Sequence, residues 1–179
     1  MENRIKLLDK TFRVMIPAEE IDKAVSRVAE KLNEKFEGHT PIFLGVLSGS
    51  FLFLSDLVRK VEFANQVAFV KLSSYDGTTS TGNVKMKLGL GFDIEGRDII
   101  IVEDIVETGH SMYYLLQYLR EMNPASITIC TLFFKPNKFQ YDYKVDYAAL
   151  SIGDEFIVGY GLDYNQLGRN LKDIYVVEE

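Results

Sequence analysis

Residues 99–111 read IIIVEDIVETGHS. Four aliphatic residues, Ile99 to Val102, run straight into Glu103 and Asp104; a third carboxylate follows at Glu107, and the chain turns through Thr108, Gly109, His110 and Ser111. An unbroken aliphatic run is what a strand covered on both faces requires, because it has no solvent side on which to alternate. Beyond the turn, Met112, Leu115, Leu116 and Leu119 share one helical face, which predicts a helix over 109–122 and makes the stretch a strand-turn-helix unit. Acids are at home near a helix N-terminus, so Glu103, Asp104 and Glu107 have a plain reading as solvated charges. Against that reading, three carboxylates within five positions repel one another unless a cation or hydroxyl donors satisfy them. The successive backbone N–H groups and two hydroxyls of residues 108–111 suit a phosphate. A cradle for an anion beside a site for a cation or a diol is what a sugar phosphate needs.

The flanking segments predict the same architecture. PIFLGVL (41–47) is a buried strand, SGS a small-residue turn and FLFLSDLVRKV (51–61) a helix, a second strand-turn-helix unit. Pro17 to Phe36 carries Ile21, Ala24, Val25, Val28, Ala29, Leu32 and Phe36 on one stripe, with proline and two glutamates in the first turn, and predicts a long helix. QVAFVKLSSY (66–75) and VKMKLGLG (84–91) form a hairpin around the polar loop DGTTSTGN (76–83), which has no apolar anchor and suits a mobile lid. SITICTLFF (126–134), YAALSI (147–152), FIVGYG (156–161) and IYVV (174–177) complete the strands. Strands alternating with helices predict an α/β fold with a mainly parallel sheet covered on both faces, and ligands at the strand carboxyl ends. LSGS, SSYDG, the acidic turn and GLDYN all sit at such ends.

Composition bounds the remaining possibilities. A chain of 179 residues with 47% hydrophobic and 26% charged residues fits one globular domain spanning 1–179. Its net charge of -6 disfavours a broad grip on nucleic acid or an anionic membrane. No apolar run is long enough to span a bilayer, and the N-terminal residues lack a signal-peptide pattern. The single cysteine, Cys130, lies in ITICTLFF as a small core residue and excludes an internal disulfide; a reducing cytoplasm is the expected location. There is no G-x-x-x-x-G-K-[ST], the GLG at 89–91 does not precede a helix, and G-x-S-x-G is absent, which removes the P-loop, dinucleotide-binding and serine-hydrolase readings. Two histidines and one cysteine are too few for an ordinary zinc site.

Residues 101–111, with VMIPAEEI, GVLSGSFLF, VKLSSYDGTTSTG, TLFFKP, YKVDY and DEFIVGYGLDYN, resemble the type I phosphoribosyltransferases, most closely the hypoxanthine or hypoxanthine-guanine members. The resemblance implies a central parallel sheet flanked by helices, a long hairpin lid and a small base-binding hood. It implies transfer of the 5-phosphoribosyl group from phosphoribosyl pyrophosphate (PRPP) to a 6-oxopurine, with Mg2+ as cofactor and a homodimer or homotetramer as the assembly. Glu103 and Asp104 would face the ribose hydroxyls and the metal, and Glu107, Thr108, Gly109, His110 and Ser111 would hold the 5'-phosphate. Ser48 and Gly49 match the pyrophosphate loop, which in the family often contains a non-proline cis peptide, and Arg169 matches a pyrophosphate-binding arginine. Ser74 and Tyr75 match the lid. Lys144 would contact the 6-oxo group, Phe156 would stack on the base, Ile157 would use its backbone, and Asp163 would bind a second magnesium. Taken singly, Lys144 and Arg169 also read as surface charges, Phe156 as core, Asp163 as a turn residue and Tyr75 as a hairpin tip. The motif usually has aspartate where this chain has Glu107, the residue expected to act as general base at purine N7. A xanthine- or guanine-preferring enzyme and a nucleotide- or RNA-binding regulator on the same fold are the alternatives left open.

Overall fold

The computed structural model describes residues 4–73, 85–88, 91 and 93–178. Ser74, Tyr75 and the loop 76–83 lie outside the described residues. The elements in chain order are β1 (Arg4–Leu7), β2 (Lys10–Ile16), α1 (Ala18–Lys35), β3 (Ile42–Leu47), α2 (Phe51–Val58), β4 (Gln66–Ser73), β5 (Lys85–Leu88), β6 (Asp98–Val106), α3 (His110–Arg120), β7 (Ser126–Phe134), β8 (Tyr147–Ser151), β9 (Ile157–Val158) and β10 (Ile174–Val177).

Six strands form the main sheet in the order β5-β4-β3-β6-β7-β8. The five from β4 to β8 are parallel, and β5 returns antiparallel to β4. The aliphatic run of β6 works as expected: Ile99 and Ile101 join a cluster with Met112, Leu115, Leu116 and Leu119 of α3, while Ile100 and Val102 face Val25, Leu32, Leu54 and Leu57 of α1 and α2. Alternation between two buried faces leaves no polar position until Glu103. The stripe expected on α1 is the buried stripe observed, Phe36 included. At the N-terminus of α1, Asp173 accepts a hydrogen bond from the Ala18 N–H at 2.7 Å, a long-range partner for one of the donors a helix start leaves over.

Chain order and sheet order diverge at β3. The chain passes from β3 outward to β4, then crosses back to place β6 on the other side of β3. This reversal opens a crevice between the carboxyl ends of β3 and β6, the place where open α/β sheets bind ligands.

A second sheet, antiparallel and ordered β1-β2-β10-β9, stands beside the first. Its hairpin β1–β2 was not expected from the sequence, because the charged run RIKLLDKTFR hides a strand pair that is half exposed. Three boundaries also differ. β6 runs two residues past Asp104, so the acidic pair lies inside a hydrogen-bonded strand; α2 ends at Val58 because the Lys60 N–H closes back on Leu57. The strand expected over 156–161 shrinks to Ile157–Val158, since Gly159, Tyr160 and Gly161 have φ of 109°, 44° and 100°, outside the extended region. Cys130 is fully buried in β7, and burial pushes its thiol pKa up, as befits a core side chain.

Candidate active site

The crevice begins at the turn after β3. The peptide bond between Leu47 and Ser48 is cis, and the Ser50 hydroxyl donates to the Val46 carbonyl at 2.6 Å. Gly49 is pressed against the Asp104 carboxylate so closely that a Cβ there would collide with it, which explains the glycine by approach rather than by dihedral. Gly161 packs in turn on Gly49: a side chain at Gly161 would strike the Gly49 carbonyl. Three segments separated in sequence thus meet at one point.

Glu103 and Asp104 form the floor. The Asp104 N–H donates to the Glu103 carboxylate at 3.2 Å and the Ile105 N–H to Asp104 at 2.8 Å. Burial, and next to it the Asp104 charge, holds the Glu103 carboxyl well above the usual carboxylate range. Burial raises Asp104 too, opposed by its hydrogen bonds and by the charge of Arg169. Two adjacent carboxyls whose charged forms are disfavoured by burial are a site that a cation or sugar hydroxyls would satisfy. Among the described residues no group of three or more His, Cys, Asp or Glu side chains could hold a metal ion. That donor set suits Mg2+, which takes one or two protein carboxylates and fills its remaining positions with water and substrate oxygens.

Arg169 donates to the Gly161 carbonyl at 2.7 Å and pairs with Asp163 at 2.6 Å. Arg169, Asp163, Gly161, Gly49 and Asp104 therefore form one continuous patch. On the far side of the acidic floor, Glu103 and Ile105 to Met112 line a cavity of about 200 Å³. Gly109 has φ of 84° at the start of α3, and a Cβ there would meet Phe139 and the Tyr143 hydroxyl. The turn is braced from behind: Gln140 N–H donates to Thr108 carbonyl at 3.1 Å and Tyr143 hydroxyl to Gly109 carbonyl at 2.8 Å. His110 and Ser111 are exposed at the mouth, and the His110 ring is 2.6 Å from the Tyr141 hydroxyl.

Lys135, not among the residues expected at the site, joins it. It follows β7 directly, is 3% exposed, and places Nζ 2.6 Å from Glu107 and 2.9 Å from the Glu155 carbonyl. Its signal was present in TLFFKP: a lysine adjoining a buried strand, before a proline that cannot continue it. Phe156, next to Glu155, is 45% exposed, and Ile157 is buried. Lys144 is not brought to this cluster. Its side chain is 81% exposed, and its partner at 3.8 Å, Asp146, is hydrogen-bonded to the Ile129 N–H. Ile129 is five residues before the end of β7, roughly 16 Å down the strand.

A mainly parallel sheet with a crevice at its reversal, a buried acidic pair and a glycine turn at that edge, and a second small sheet beside it make up a phosphoribosyltransferase-like fold, and the chain belongs to the phosphoribosyl transferase family, whose domain model matches residues 17–165. Within it, the chain falls in the hypoxanthine(-guanine) branch of purine salvage. It is 37% identical over 174 residues to the hypoxanthine-guanine-xanthine phosphoribosyltransferase of Tritrichomonas foetus, covering 97% of this chain and 95% of that one. Identity to the hypoxanthine phosphoribosyltransferase of Salmonella typhimurium is 39% over 164 residues, 90% of this chain and 92% of the relative. The crystal structure of a Staphylococcus aureus hypoxanthine phosphoribosyltransferase superposes with a TM-score of 0.88 at 37% identity, covering 92% of this chain and 90% of that chain.

Proposed function

We propose that the protein transfers the 5-phosphoribosyl group of PRPP to hypoxanthine and guanine, releasing pyrophosphate and forming the nucleoside monophosphate. The observation that carries the base specificity is the Lys135–Glu107 pair beside the exposed face of Phe156. Lys135 has three donors; Glu107 and the Glu155 carbonyl take two, leaving one for a 6-oxo group. Glu107 has a second oxygen for the proton on N7. A purine stacked on Phe156 with O6 to Lys135 and N7 to Glu107 satisfies both, whereas a 6-amino group would set donor against donor. Lys135, rather than Lys144, is therefore the 6-oxo contact in this reading, and the backbone of Ile157 lines the same edge.

PRPP would lie with its 5'-phosphate on the Glu107–Ser111 turn, its ribose diol on Glu103 and Asp104, and its pyrophosphate against Ser48, Gly49 and Arg169. Mg2+, held by Glu103, Asp104 and substrate oxygens, with a second ion at Asp163, would neutralise charge on the leaving group. The C1–O bond to pyrophosphate breaks as N9 bonds to C1, and Glu107 takes the N7 proton that the ring can no longer keep. Fixed N–H donors and Arg169 stabilise the departing pyrophosphate without reorganising. Ser74 and Tyr75 would belong to the lid that excludes water. A dimer or tetramer in the cytoplasm completes the reading; the exposed Val67 and Phe69, two apart on β4, offer an apolar surface for a second copy. No described helix is long and apolar enough to cross a membrane.

The test is an assay with PRPP and hypoxanthine, guanine, xanthine, adenine or uracil, with Mg2+ and after its removal by chelation. Turnover of hypoxanthine and guanine that disappears on chelation is expected. Activity only with adenine or uracil, or no heat of PRPP binding by calorimetry, overturns it.

A further inference from the structure

Phe156 presents a problem that the reaction does not solve. A ring 45% exposed has too few neighbours for packing alone to hold its plane, yet base stacking requires a fixed plane. Two rings touch it: Phe12 at 6.4 Å and 44°, and Tyr164 at 5.8 Å and 81°, an edge-to-face contact. Phe12 is fully buried on β2, packed with Val158 and Tyr175. Tyr164 stands outside every strand, followed by Asn165 and Gln166 at φ of 50° and 67°, so its own placement needs an anchor. That anchor is distant in sequence: the Tyr164 hydroxyl donates to the Asp9 carboxylate at 2.7 Å.

Asp9 is the second residue of the two-residue turn joining β1 to β2, opposite the Leu7–Lys10 pair, and Leu8 before it has φ of 53°. Lys10 adds its ammonium 5.9 Å over the Tyr164 ring. Tyr164 also packs on Phe12 at 6.1 Å, so Phe12, Tyr164 and Phe156 form a closed triangle with one tether to the hairpin tip. The Asp9 bond is solvent-exposed, and exposed polar pairs contribute little to folding. Its consequence is geometric: it sets the angle of the ring edge that meets Phe156.

Resting on the phosphoribosyl-transfer reading above, we propose that Tyr164 is a positioning residue for the purine, held by Asp9 so that the N-terminal hairpin fixes the plane of Phe156. The backbone of Tyr164 adjoins Asp163, whose pairing with Arg169 does not involve the Tyr164 ring. Loss of the hydroxyl therefore acts on the base and spares the pyrophosphate.

The experiment measures KM for hypoxanthine, KM for PRPP, kcat and Tm in Tyr164→Phe, Asp9→Ala, Asp9→Asn and the double variant Tyr164→Phe/Asp9→Ala. Both variants keep the ring and lose only its set angle, so the about 0.5–1.5 kcal/mol of an aromatic pair is an upper bound, and KM for hypoxanthine should rise at least roughly 2-fold and at most roughly 10-fold in Tyr164→Phe and Asp9→Ala. KM for PRPP, kcat and Tm should stay at wild-type values. The double variant should be no worse than either single one, because both remove the same bond. Asp9→Asn keeps an acceptor oxygen and should restore the wild-type KM. Wild-type KM for hypoxanthine in both single variants, an equal rise in KM for PRPP, or additive effects in the double variant would overturn the proposal while the reaction itself stands. A wild-type protein that turns over neither hypoxanthine nor guanine removes the reaction and the proposal together.

Discussion

Glu107 carries one methylene more than the aspartate usual at its place in the motif, and the structure shows where the extra reach goes: to Lys135 at 2.6 Å. A C–C bond adds about 1.5 Å, so an aspartate on the same backbone would stop short of the ammonium. The site is thus built around the longer acid. Glu107→Gln should lower kcat by roughly 10²- to 10⁴-fold, as loss of a general base does, with PRPP affinity little changed. Glu107→Asp should also cost roughly 10²-fold in turnover, since a displacement near 1 Å is enough to do so. Steady-state kinetics on both variants check this; wild-type turnover in Glu107→Gln would remove the residue from catalysis. Much of the candidate site is legible in the sequence because its residues are neighbours there: residues 103–111 run from the end of β6 through a short turn into α3. Lys135 was not, because it lies 28 residues from Glu107 and meets it only when β7 is laid beside β6 in register. Lys144 drew attention by its motif and proved to be a surface lysine. The Leu47–Ser48 cis bond has no signature in residue type.

At the level of elements, one carboxylate ties together the starts of neighbouring parallel strands. Asp98, at the start of β6, accepts from the Ser126 hydroxyl at the start of β7 and lies 2.9 Å from His39, before β3. The Ser126 hydrogen bond, with His39, holds its carboxyl below the usual carboxylate value of 3.8. A lowered folded-state pKa means that Asp98 stabilises the protein fully above its unfolded pKa, and that this contribution fades as pH falls through the folded value. The stability advantage of wild type over Asp98→Asn should therefore be present at neutral pH and shrink as pH drops below about 4. Urea denaturation from pH 7 to pH 3 reads it directly; parallel curves over the whole range would show that the carboxylate charge is not used. Elements with strong periodicity were legible: α1 and α3 bury the stripes that their spacing announced. The β1–β2 hairpin and the two-residue β9 were not, because the first is half exposed and charged, and the second is cut short by positive-φ residues that spacing cannot display.

The whole molecule sets its two sheets on either side of the crevice in which the proposed reading puts PRPP and the purine. The main sheet carries Gly49, Glu103, Asp104 and the 107–111 turn at its carboxyl edge; the segments beside the small sheet carry Phe156, Asp163 and Arg169. Something must keep those halves at a fixed separation, and contacts among the described residues that do so include Asp173 with the Ala18 N–H, Lys135 with the Glu155 carbonyl, the close approach of Gly161 to Gly49, and the Tyr160 hydroxyl with Asp56 of α2 at 2.6 Å. Tyr160 is the most telling, because its φ of 44° is unusual for a side chain of that size and its phenol pKa is raised by burial and by Asp56. Tyr160→Phe leaves the ring in place and strips Asp56 of a partly buried partner, which should reduce stability by about 1–3 kcal/mol. It should also weaken pyrophosphate binding, since the Gly161 carbonyl that orients Arg169 is the next residue. A ligand that bridges both halves stabilises them by mass action, about 2.7 kcal/mol at a hundredfold excess over Kd. Thermal unfolding of wild type and Tyr160→Phe, each with and without pyrophosphate and Mg2+, separates the two effects. The variant should melt lower when free and require more ligand for the same upward shift. If it melts and responds as wild type does, the other contacts suffice to hold the hood, and Tyr160 has no part in setting the width of the crevice.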